Sequence, residues 1–188
     1  MTARSDKAGR SPPGTEKPCE EDEECMGAKL GLPLRSGMDF TTFEEVTLDC
    51  LRLVAWSYAS GESRAWDTAL EFAERHFGAQ HGHLVAVRLC GLMRALRVER
   101  QTGFTFLSAH CRHICNDELA VMSLIKAARQ GLDATLQEIG RYVTGRSIAH
   151  RTIAAAEWVA GAQLEAIPRC DASKLGTAGA GVGRGALH

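Results

Sequence analysis

The sequence predicts an all-α protein: a compact bundle or orthogonal array of about seven helices, flanked by disordered N- and C-terminal tails. Three observations lead there. Apolar residues recur at helical spacing from Phe43 to Val159. Capping motifs and glycines break that stretch into helix-sized pieces. No run of alternating β-branched residues offers a strand. The 188 residues fit one domain with room for tails, and 45% hydrophobic with 24% charged residues is a globular composition.

Thr41-Thr42-Phe43-Glu44 is a capping box that opens the first helix. Phe43, Val46, Cys50, Leu51 and Val54 form its apolar stripe, and Ser60-Gly61 stops it. Ser63 begins a second helix, with Trp66, Leu70, Phe72 and Ala73, that ends near Gly78. A third runs from about His83 to Arg100, and Gly103 breaks it. A fourth is expected from Phe106 to about Cys115, because Leu107, Cys111 and Ile114 trace a stripe. Asn116-Asp117-Glu118 supplies a cap and an acidic first turn for a fifth, which ends at Gly131. Thr135-Leu-Gln-Glu138 is a second capping box, opening a sixth helix that closes at Thr144-Gly145. Ser147 caps the seventh, which stops before Pro168.

Residues 1–39 read as a disordered tail. They carry prolines, glycines and the acidic run Glu20-Glu21-Asp22-Glu23-Glu24, without a periodic apolar face. Residues 168–188, rich in glycine and alanine, read the same way. The helical domain therefore spans 40–167.

A formal net charge of -1 gives no general attraction to nucleic acid or membrane, so any basic surface is local. No stretch of about 18 apolar residues is present to span a bilayer. The N-terminus has no apolar run after its charges, so it does not read as a secretory signal. The expectation is a cytoplasmic protein without a membrane partner. Its seven cysteines are then thiols, metal ligands or redox switches rather than structural disulfides.

Residues 135–165 read as helix, tight turn, helix. Gly140 is small where the two helices would cross, Gly145 can end the first, and Ser147 can cap the second. This is the geometry of a helix-turn-helix, whose second helix enters the major groove with its N-terminal residues. Arg141, Thr144, Arg146, Ser147, His150 and Arg151 are the candidate DNA contacts. Arginine pairs bidentately with guanine, and hydroxyls and backbone N–H groups hold phosphate. About twenty residues here resemble the C-terminal DNA-binding domain of the bacterial replication initiator. Ile139-Gly140 and Gly145-Arg146 match that family's Ile-Gly and Gly-Arg pairs, and Thr144 stands for its preceding glycine. The resemblance implies base reading from the start of the second helix, and a single motif implies a homodimer on two half-sites.

The second lead is His110-Cys111-Arg112-His113-Ile114-Cys115. On a helix, Cys111 and Cys115 share one face and His110 and His113 another. Thiolates and imidazoles at such spacing clasp Zn²⁺, with a neighbouring helix adding ligands. The candidate ligands are Cys90, His110, Cys111, His113 and Cys115, holding zinc or an iron–sulfur cluster. No Ser-His-Asp signature, phosphate loop or His-Glu-x-x-His motif supports an enzyme. The leading expectation is a small DNA-binding transcriptional regulator with a Cys/His metal or redox sensor. The alternatives are a helical adaptor that binds another protein, and a metal-binding helical protein.

Overall fold

The computed structural model describes residues 25–165; residues 1–24 of the expected N-terminal tail and the whole expected C-terminal tail, 168–188, lie outside them, as do Cys19 and Cys170. Described side chains end at Ala162. The chain runs α1 (Met26–Lys29), a 3₁₀ turn (Arg35–Gly37), α2 (Thr42–Ser60), α3 (Ser63–Phe77), α4 (Ala79–Glu99), α5 (Asn116–Gln130), α6 (Asp133–Thr144) and α7 (His150–Glu165). Among the described residues there is no strand, only an isolated antiparallel bridge between Leu34 and His113. The all-α fold is as the apolar periodicity predicts.

Helix α4 is the spine. It packs against α3, α7 and α2, while α5 packs against α6 and α7. Its buried stripe of Val85, Ala86, Leu89, Leu92, Met93 and Leu96 repeats at three and four residues, as a helix buried along one side requires. Leu48, Leu51 and Val54 of α2, Val121, Leu124 and Ile125 of α5, and Ile153, Ala156 and Val159 of α7 complete one continuous core. The expected capping box opens α2: Glu44 N–H donates to the Thr41 hydroxyl, and Thr41 N–H donates to the Glu44 carboxylate at 2.7 Å.

Four expectations are corrected. First, Cys25–Asp39 is not structureless: α1, the 3₁₀ turn and the bridge lay it across the body as a strap. Second, no helix forms from Phe106 to Cys115. The backbone polar groups of that segment are committed elsewhere, which removes the ladder a helix would need. Thr105 N–H and Leu107 N–H donate to the carboxylates of Asp117 and Glu118. Ile114 N–H donates to Pro33 O, and Arg112 O accepts from Arg35 N–H. Third, α6 begins at Asp133, so Thr135 lies inside its first turn and the second capping box is not used. Fourth, α7 begins at His150, so Ser147, three residues earlier, is not its cap.

Candidate metal centre

The irregular segment 100–115 and the strap meet at one point. Cys25, at the N-cap of α1, brings its Sγ to 3.7 Å from Cys111 Sγ and 3.4 Å from His113 Nδ1. Cys111 Sγ and His113 Nδ1 are 3.9 Å apart. With zinc bonds of about 2.3 Å to sulfur and 2.0–2.1 Å to nitrogen at tetrahedral angles, the edges of such a site are about 3.8 Å (S···S) and about 3.6 Å (S···N). The three observed edges match that shape for a single ion. A [4Fe–4S] cluster places each of its cysteines on a different iron and so spreads them further. The soft S₂N donor set suits zinc.

Buried chemistry fixes the loop that carries two of the three donors. Arg52 of α2, fully buried, grips Glu118 of α5 bidentately, Nε to Oε1 at 2.8 Å and Nη2 to Oε2 at 2.9 Å. Nη1 donates to the Cys111 carbonyl and Nη2 to the His113 carbonyl, both at 2.6 Å. Glu118 also accepts from Leu107 N–H at 2.9 Å and Cys115 N–H at 3.0 Å. A buried ion pair is costly unless its lone pairs and protons are satisfied; here they are satisfied by the backbone of the ligand loop. On the other side, Gly27 lies against His113. A Cβ at Gly27 would fall 2.5 Å from His113 Cβ, so only glycine admits this approach. Leu107, Cys111 and Cys115 are buried in a small cluster, with Leu32 and Cys25 packed against it. Burial pushes the Cys111 thiol above its ordinary 9.0. A divalent cation at the triad supplies the opposite charge that a thiolate needs.

Of the expected ligands, Cys111 and His113 come together and the others do not. Cys115 caps α5 and its thiol donates to Thr105 O at 3.2 Å, with burial pushing it up to about 11. Cys90 lies on α4, where Tyr58 donates to its carbonyl. His110 is exposed, beside Asp49 rather than in the triad. Cys25 is the donor that the sequence reading missed, because it sits 86 positions from Cys111 in a segment without an apolar period.

At the α6–α7 corner, Gly145 has φ +68°, and a Cβ at Gly140 would fall 2.8 Å from Ile153, as the close crossing predicts. Arg141, Arg146, Ser147, His150 and Arg151 are exposed. Thr144 is fully buried, its hydroxyl donating to Gly140 O at 2.9 Å, so it is not placed to touch phosphate. Ile148 is 60% exposed. The first N–H groups of α7 already have an anion. Glu99 of α4 accepts from Arg151 N–H at 2.9 Å and Thr152 N–H at 2.8 Å. Desolvation would raise the Glu99 carboxyl, but these N–H donors outweigh it and hold it below its ordinary 4.5.

No protein-family model, curated protein or solved structure matches this chain. No helix among the described residues is long and apolar enough to cross a membrane.

Proposed function

We propose that this chain is a zinc-binding helical protein whose metal fastens the N-terminal strap to the helical body. The convergence of Cys25 Sγ, Cys111 Sγ and His113 Nδ1 at tetrahedral edge lengths carries this reading. The donors come from two segments far apart in sequence, so the ion acts as a cross-link between them. Its role in this reading is to set the shape of the strap and of the 100–115 segment, which together form one face of the molecule. Elemental analysis of the full-length protein purified without chelator tests it. About one zinc per chain is expected, falling to background in Cys111→Ser and His113→Ala. Full zinc content in both variants would refute the triad.

Nucleic-acid binding at the α6–α7 corner is a second reading, with a homodimer on paired half-sites. The exposed Arg141, Arg146, His150 and Arg151 around one tight turn favour it. Because Glu99 occupies the α7 N-terminus, phosphate contact would fall to these side chains and not to the helix end. Anisotropy titration of duplex DNA across a salt series decides. Binding that weakens steeply with salt and is reduced by Arg146→Ala and Arg151→Ala supports this reading; no binding at micromolar protein and low salt removes it.

A further inference from the structure

We propose that the metal site is also an oxidation site: hydroperoxides convert Cys25 and Cys111 to a disulfide and expel the zinc. This rests on the zinc reading above. The two sulfurs lie 3.7 Å apart, with no atom needed between them once the ion leaves. Closing to a bond of about 2.05 Å takes a shift of about 1.7 Å.

The two thiols are placed for different roles. Cys25 is only partly buried, at the N-cap of a four-residue helix, so a small peroxide reaches its sulfur first. Cys111 is 2% exposed and its carbonyl is held by Arg52, so it waits as the resolving thiol while the strap moves towards it. The other described cysteines have no such partner arrangement with Cys25. Cys115 is occupied by Thr105 O, and Cys50 is fully buried in the main core.

The chemistry balances. The Cys25 thiolate attacks the distal oxygen of the hydroperoxide. The O–O bond breaks, a sulfenic acid forms, and the departing alkoxide takes one proton to become an alcohol. The Cys111 thiolate then attacks the sulfenic sulfur, forming the S–S bond. The displaced hydroxide takes a second proton and leaves as water. Two electrons pass from the two thiolates to one peroxide. With both anionic ligands gone, His113 alone does not retain Zn²⁺.

The test uses the full-length, zinc-loaded protein. Hydrogen peroxide is added in steps while a chromogenic chelator reports free zinc, and disulfides are mapped by peptide fragmentation. One zinc released per Cys25–Cys111 disulfide, reversed by a dithiol reductant and zinc, is the expected result. Cys90→Ser, on α4 away from the triad, should behave as the parent does. Zinc retained through complete peroxide treatment would overturn the oxidation inference and leave the zinc reading intact. Release with Cys25 joined to Cys19 or another cysteine would also overturn it. Protein that binds no zinc at all would overturn both.

Discussion

Arg52 and Glu118 lie 66 positions apart and bury two opposite charges, each fully hidden from water. Their worth lies less in the pair itself than in the four backbone groups it satisfies around Cys111 and His113. Removing one partner strands the other charge, a loss of about 3–5 kcal/mol. Arg52→Ala should therefore lower the urea-unfolding free energy by that amount and abolish zinc binding together with it. Gly27→Ala is a sharper probe of the site, because its effect is local. The added Cβ pushes the strap off His113, so zinc affinity should fall at least tenfold in a competition titration while helical content stays at the parent level. Little of this was readable from sequence. Cys111 and His113 stand out by density, yet Cys25 stands in a tail-like composition, and no local pattern announces that Arg52 reaches across to Glu118. Such pairings belong to the tertiary fold, not to sequence spacing.

At the scale of elements, the helices whose ends are set locally are those the sequence specifies best. Helix α2 begins and ends where its capping box and Gly61 place it, and Gly131 and Gly145 end α5 and α6 in the left-handed conformation. Where a distant residue intervenes, local reading fails. The stripe of Leu107, Cys111 and Ile114 is real in its burial, but those side chains point inward from an irregular loop whose backbone bonds to the strap and to α5. Helix α7 starts late because Glu99, not Ser147, caps it. Glu99→Ala should cost about 1 kcal/mol at neutral pH, the usual worth of an N-cap. The Glu99 carboxyl is depressed in the folded state, so its contribution is present above 4.5 and is lost as pH falls through its lowered value. Chemical denaturation of parent and variant across that range should show the gap closing in acid.

For the whole molecule, the Cys25–Cys111–His113 triad and the main core are separate. The large cluster unites α2 to α7, whereas Leu107, Cys111, Cys115, Leu32 and Cys25 form a satellite beside it. Chelation should therefore loosen one face and spare the bundle. Far-ultraviolet circular dichroism is expected to change little, while amide exchange accelerates in residues 25–39 and 104–114 and stays slow in α4. The central claim is the ligand set itself, and zinc K-edge X-ray absorption on the purified protein addresses it most directly. The predicted shell holds at least two sulfurs at about 2.3 Å and an imidazole nitrogen at about 2.0–2.1 Å. A shell with fewer than two sulfurs, or no bound zinc, would contradict the account.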